Sequence, residues 1–165
     1  MFDNLKKYKT KHNLILNIYI QGNEIPSNLN YDNPNIILNI KNLSYKEISN
    51  LYKNNDIFIH MGCHEGLGLG LYESISVGTP VITIDNCPNN EIIVEPINGW
   101  NVNYKCERLT DNDQGITRKS VFDENDLLKK IIYIDKTYNR KNIFNSVIKY
   151  NDINSKYIDI LINHI

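Results

Sequence analysis

The sequence contains no alanine, only three cysteines and one tryptophan, and its charges nearly cancel, leaving a net charge of −1 at pH 7. Without a basic excess, non-specific attraction to a phosphate backbone is not expected, which argues against a nucleic-acid partner. No apolar run approaches the ~18 residues that cross a bilayer. The start Met1-Phe2-Asp3 has no signal-peptide profile. We therefore expect a cytoplasmic protein without a transmembrane segment.

The three cysteines, Cys63, Cys87 and Cys106, are far apart and form no C-x-x-C pair. This spacing predicts reduced thiols rather than a disulfide framework or a zinc site. The missing alanine is accompanied by 27 asparagines and 27 isoleucines, whose codons are AT-rich, so we hypothesise an AT-rich source genome. A chain of 165 residues fits a single domain that buries a core without disulfides or metals.

Short runs rich in β-branched residues alternate with helical segments along the chain. A capping box, Ser44 with Glu47 three residues later, predicts the start of a helix. Alternation of this kind predicts an α/β domain of three layers, with a mostly parallel sheet covered by helices on both faces. The predicted strands are 14–20, 35–40, 56–60, 80–84 and a last one at 100–104; the predicted helices are 5–11, 44–53, 70–77, 88–93, 123–135 and 140–163; and 105–122 is predicted to be a loop.

A glycine-rich loop over residues 62–70 joins a strand to a helix. In open α/β sheets such loops lie at the carboxyl ends of the strands, where ligands bind. Glycines let backbone N–H groups approach a ligand, and the helix N-terminus favours a phosphate. Glu65 precedes the glycines and Glu73 follows eight residues later, and each carboxylate can accept both hydroxyls of a vicinal diol. The pattern predicts a site for a nucleotide-sugar.

Two other phosphate-binding motifs are not met. Leu71 occupies the last glycine position of G-x-G-x-x-G, and no G-K-[ST] is present. Glu91 is either a further residue of the site or the start of a short helix. The apolar stripe along the last predicted helix is interpreted as core or interdomain packing.

The run Glu65-Gly66-Leu67-Gly68-Leu69 to Glu73, followed by Gly78-Thr79-Pro80-Val81-Ile82, resembles the E-x7-E region of retaining GT-B glycosyltransferases of the family-4 type, the group 1 glycosyl transferases. The segments Ser44–Phe58, Pro88–Ile93 and Asn98-Gly99-Trp100 are similar to the flanking parts of that family. The resemblance covers roughly residues 5–135. It implies a Rossmann-like domain that forms one half of a GT-B fold.

The resemblance also implies roles for single residues. Glu73 matches the glutamate that binds the donor ribose hydroxyls, and Glu65 the catalytic-region glutamate that contacts the transferred sugar. The backbone of Gly66, Leu67, Gly68 and Leu69 matches the loop along the sugar and diphosphate, and His64 is a candidate donor to the ligand. The implied reaction is transfer of a hexosyl group from a nucleotide-sugar, UDP- or GDP-linked, to an unknown acceptor with retention of configuration and without a metal or other cofactor.

The chain departs from this family upstream of residue 5. The family's arginine and lysine that neutralise the diphosphate have no counterpart here, and neither does the N-terminal acceptor domain. We therefore expect residues 1–165 to be a single nucleotide-sugar-binding domain that lacks its first strand, has little activity alone, and needs the missing domain or a partner chain. Two alternatives stay open: a non-catalytic nucleotide-sugar-binding module or subunit, and a different Rossmann-like protein such as a nicotinamide enzyme, against which the absent fingerprint argues.

Overall fold

A computed structural model of the chain describes residues 12–20, 34–62, 66–108, 118–137, 139, 141–149 and 152. Within these residues strands and helices alternate, which confirms the predicted α/β class. In chain order the elements are β1 (Leu16–Ile20), β2 (Ile36–Ile40), α1 (Tyr45–Asn54), β3 (Phe58–His60), α2 (Leu69–Ser76), β4 (Val81–Ile84), α3 (Asn89–Ile92), β5 (Gly99–Val102), β6 (Tyr104–Arg108), β7 (Arg118–Phe122), α4 (Glu124–Thr137) and α5, over 141–149.

The capping box at the start of α1 is present. The Ser44 side chain accepts a hydrogen bond from the backbone N–H of Glu47 at 3.4 Å, and the Glu47 carboxylate accepts one from the backbone N–H of Ser44 at 2.8 Å. The hydrogen bonds from Ser44 hold the pKa of the Glu47 carboxyl below its ordinary value. Two otherwise unpaired backbone donors are satisfied, so the helix begins where the sequence predicts. The helix predicted over residues 5–11 lies outside the described residues.

Five of the strands pair in parallel. β1 pairs with β2, and β3, β4 and β5 form a second parallel sheet in that order. In the second sheet Ile59, Ile82 and Trp100 stand in register in one row, and Phe58, Val81 and Gly99 in the preceding row. Neighbouring rows of a sheet point to opposite faces, so each face receives its own set of side chains.

Two apolar clusters lie on opposite faces of β3-β4-β5. The first joins the sheet to α2, α3 and α5, and the second joins it to α4. Ile143 of α5 packs against both. The predicted three-layer arrangement is therefore confirmed for this sheet, and none of the described helices is long and apolar enough to cross a membrane. The first cluster contains Leu71, Ile75, Val81, Ile92, Ile93 and Val147, and the second Ile82, Trp100, Val102, Leu127 and Ile134.

A cavity of about 770 Å³ separates β1 from β3, and its walls include Ile18, Leu51, Ile59 and Ile134. The prediction that the domain lacks its first strand stays a prediction.

The strand predicted at 100–104 is confirmed as β5, but it is not the last strand, and the prediction of a loop over 105–122 is wrong for the described residues 105–108 and 118–122. β6 and β7 form an antiparallel pair in which Cys106 stands opposite Ser120. Tyr104, Lys105 and Cys106 are all exposed, so over these three residues β6 shows no alternation of buried and exposed side chains. β7 is anchored by a hydrogen bond of 3.2 Å from the Asn86 amide to the Ser120 hydroxyl.

Candidate functional site

The glycine-rich loop ends at Gly68, which is the N-cap of α2. Gly68 has φ of 64° in the left-handed region, where a side chain is strained, and an added Cβ would lie 2.9 Å from the Ile92 side chain. Gly68 is buried, whereas Gly66 is exposed and the side chains of Leu67 and Leu69 are 72% and 63% exposed. The loop therefore presents its backbone and two leucines at the surface and turns sharply into the helix.

The N-terminus of α2 has no side-chain cap and no acidic residue in its first turn. The first turns of α1, α3 and α4 each contain a carboxylate, among them Glu47 and Glu91. First-turn N–H groups and the helix dipole attract an anion when no side chain competes for them. The start of α2 therefore has the electrostatic character of a phosphate site.

Glu73 lies on α2, four residues after Leu69, and its side chain is exposed. Residues four apart share one face of a helix, and the rise of 1.5 Å per residue places Glu73 about 6 Å along the axis from Leu69. The Tyr52 hydroxyl of α1 donates a hydrogen bond to Glu73 Oε2 at 3.5 Å. A ligand held at the start of α2 thus has a carboxylate within one helical turn.

Tyr52 is buried beside this carboxylate. Burial, followed by the charge of Glu73 and its hydrogen bond, raises the pKa of the Tyr52 hydroxyl to about 12 from its ordinary value of 10. Burial disfavours the charged phenolate, and the adjacent carboxylate disfavours it further. The Tyr52 hydroxyl therefore keeps its proton, and can donate a hydrogen bond, at pH values below about 12.

We expect the raised pKa of Tyr52 to make stability fall at alkaline pH. A group whose pKa is higher in the folded than in the unfolded chain stabilises fully below pH 10 and loses that contribution as pH rises through about 12. Urea unfolding at pH 9, 10 and 11 measures the slope of the free energy of unfolding against pH. Tyr52→Phe should flatten it, whereas Tyr45→Phe, which changes a tyrosine 87% exposed on the same helix, should leave it unchanged. Equal slopes in Tyr52→Phe and the unmodified chain would contradict the assignment.

A row of polar residues crosses the carboxyl ends of three strands, because His60, Thr83 and Asn101 stand in register. They share the face on which α2 and α3 pack. Thr83 is fully buried, and within the described residues neither its hydroxyl oxygen nor Asn101 Oδ1 has a hydrogen-bond partner. The sheet is therefore polar beneath the glycine-rich loop and apolar further down the strands.

Buried asparagines to which the sequence analysis gave no individual role hold the connection between β4 and β5: Asn86 and Asn89 follow β4, and Asn98 directly precedes β5. Asn98 accepts a hydrogen bond from the N–H of Val94 at 2.7 Å and donates one to the carbonyl of Ile92 at 3.1 Å. The Asn89 amide donates to Asn86 Oδ1 at 2.8 Å. The only available signal was the placement of Asn98 directly before a glycine and a strand, which is typical of a turn.

Glu91 is in the first turn of α3, exposed, and accepts a hydrogen bond from the Cys87 thiol at 3.1 Å. This contact raises the pKa of the Cys87 thiol, because a neighbouring carboxylate disfavours the thiolate. Both Cys87 and Cys106 are free thiols. The short helix predicted around Glu91 is confirmed as α3, and a ligand-binding role for this carboxylate stays a prediction.

Three residues of the predicted motif, Cys63, His64 and Glu65, lie outside the described residues, so the roles assigned to His64 and Glu65 stay predictions. Of the predicted site, the structure brings together Gly66, Leu67, Gly68, Leu69 and Glu73 along one loop and helix. In the part of the chain that the structure describes, no group of three or more His, Cys, Asp and Glu side chains is arranged to hold a metal ion.

The chain is similar to known proteins over much of its length. A family model described as "Glycosyl transferases group 1" matches residues 3–110, about two thirds of the chain. The chain is also similar to the UDP-N-acetylglucosamine--peptide N-acetylglucosaminyltransferase GtfA subunit of Streptococcus agalactiae, with 31% identity over 102 residues. That match covers 57% of this chain and 19% of the relative, so the matched region is about a fifth of the relative's length. The family match includes the glycine-rich loop and Glu73.

Proposed function

The chain belongs to the group 1 glycosyl transferases, and from this premise we propose that it binds a nucleotide-diphospho-sugar donor and takes part in the transfer of its hexosyl group, with retention of configuration, to an acceptor. The family's description specifies glycosyl transfer. The nucleotide-sugar donor and the retention of configuration are our proposal. The observation that supports it most is the uncapped start of α2 with Glu73 one turn away.

In this proposal the backbone of residues 66–69 and the start of α2 hold the diphosphate. Glu73 accepts the ribose hydroxyls, because an ionised carboxylate has two acceptor oxygens for a vicinal diol. Glu65 contacts the transferred sugar, with His64 as a neighbouring donor. The main catalytic contribution of these elements is stabilisation of the negative charge that develops on the departing diphosphate. No metal is assigned to this step.

Calorimetric titration with UDP, GDP and ADP, and then with their sugar conjugates, tests the donor site. The relative's name specifies UDP-N-acetylglucosamine, so this conjugate is the first to titrate. We expect one of the three nucleoside diphosphates to bind more tightly than the other two. Equal binding of all three nucleotides, or none by any, would contradict a nucleotide-sugar site in this chain.

A second candidate function is a nucleotide-sugar-binding module that acts within a larger assembly. The relative is named as a subunit, which favours the presence of a further domain or partner chain. The two candidates differ in chemistry, not in binding. Release of free nucleotide from the bound conjugate, measured with and without an acceptor, supports a transferase, whereas tight binding without release supports the module.

A further inference from the structure

Tyr52 lies between the core and the candidate site. Its side chain is 8% exposed, and its ring meets Phe58 edge-on with centroids 5.0 Å apart. The hydroxyl group points out of this apolar setting to Glu73 Oε2. The tyrosine ring is fixed by the residues packed around it. Its polar end contacts the carboxylate of a side chain that is otherwise exposed.

Thr79, which follows α2, and Gly70, in the first turn of α2, both lie against Tyr52. The Thr79 hydroxyl, itself buried, donates a hydrogen bond to the Tyr52 carbonyl at 2.8 Å. Gly70 faces the ring end, where an added Cβ would lie 3.4 Å from the Tyr52 hydroxyl and 3.7 Å from the Phe58 ring. Thr79 fixes the backbone of Tyr52, and the missing side chain at Gly70 leaves room for its hydroxyl group.

The direction of the hydrogen bond follows from chemistry. An ionised carboxylate only accepts, so the phenol must donate. This contact occupies one lone pair of Oε2 and limits the rotation of a side chain that has three rotatable bonds. An immobilised flexible side chain loses less entropy when a ligand binds, and preorganisation of this kind raises affinity.

We propose that Tyr52 is a positioning residue that holds the Glu73 carboxylate in the orientation in which it accepts the ribose hydroxyls of the nucleotide. This inference rests on the proposed function. Tyr52 itself touches no ligand. Its effect is therefore confined to ligands that have the hydroxyls that Glu73 binds.

The test compares a ribonucleoside diphosphate with its 2′,3′-dideoxy counterpart in four variants of the chain. Tyr52→Phe keeps the ring against Phe58 and removes only the hydroxyl group. We expect it to weaken ribonucleotide binding roughly 3- to 10-fold, the usual range for one hydrogen bond, and to leave 2′,3′-dideoxynucleotide binding nearly unchanged, because that ligand lacks both hydroxyls. Combined with Glu73→Ala, Tyr52→Phe should cause no further loss. Tyr45→Phe is the matched control and should have no effect.

The outcomes separate this inference from the proposed function. If Glu73→Ala weakens ribonucleotide binding and Tyr52→Phe does not, Tyr52 has no positioning role, although the donor site stands. If Tyr52→Phe weakens both nucleotides equally, its effect is structural and the inference is overturned. If Glu73→Ala changes neither nucleotide, the proposed function fails together with the inference.

Discussion

Glu73→Ala is expected to weaken binding of the selected nucleotide diphosphate by roughly 10- to 150-fold, equivalent to about 1.5–3 kcal/mol. The carboxylate is exposed on α2, one turn beyond a helix start that has no cap and no acidic residue. Loss of the side chain removes both acceptors for the ribose hydroxyls, and hydrogen bonds to a charged group are the stronger kind. Calorimetric titration of the variant with the same nucleotide measures the change.

Two further variants show that the loss comes from the Glu73 carboxylate. Glu73→Gln keeps the shape of the side chain and removes its charge, so its affinity should fall between those of the alanine variant and the unmodified chain. Glu124→Ala removes an equal charge from α4, which packs on the opposite face of the sheet, and should leave affinity unchanged. Unchanged affinity in Glu73→Ala would refute the ribose assignment.

Local features were predictable from the sequence because they depend on neighbouring residues. The capping box at Ser44 needs only a hydroxyl and a carboxylate three residues apart, and the structure contains both hydrogen bonds. The central strand β4 was visible as a short β-branched run, since both of its faces are buried and every one of its residues is buried. When both faces of a strand are buried, its apolar residues follow one another in the sequence and can be recognised there.

The hairpin of β6 and β7 shows where this reasoning fails. The described side chains of its first strand, at 104–106, are exposed on both faces, and its pairing joins residues that are 10 to 18 positions apart. A strand without a buried face needs no alternation of apolar and polar residues, so its polar sequence resembled that of a loop. The division of the parallel strands into two sheets was likewise not predictable, because it depends on which edges meet in space.

The candidate site was predictable in part. The glycines and Glu73 are close in sequence and carry a recognisable spacing, so the sequence analysis located them. The contact between Tyr52 and Glu73 was not predictable, because Tyr52 lies on another helix, 21 residues away along the chain. Thr79 likewise gave no indication that its hydroxyl group would fix the Tyr52 backbone.

Gly99→Ala is expected to lower the free energy of unfolding by about 2–4 kcal/mol, since the added methyl group has no space. Gly99 is the first residue of β5 and stands opposite Val81. An added Cβ would overlap the backbone carbonyl oxygen of Val81 and would lie 3.1 Å from the Ile93 side chain. A backbone atom inside a sheet cannot move aside without breaking the pairing of β4 with β5. Urea and thermal unfolding measure the loss, with a midpoint roughly 4–16 °C lower.

Gly66→Ala is the matched control, because an added Cβ at this exposed glycine meets no atom within 4 Å. Its unfolding free energy should stay within about 0.5 kcal/mol of the unmodified chain. The contrast tests whether β4 and β5 have the close approach that keeps Thr83 and Asn101 in register. Equal stability of Gly99→Ala and Gly66→Ala would mean that this approach is looser than described, and that the polar row of His60, Thr83 and Asn101 is not held in register.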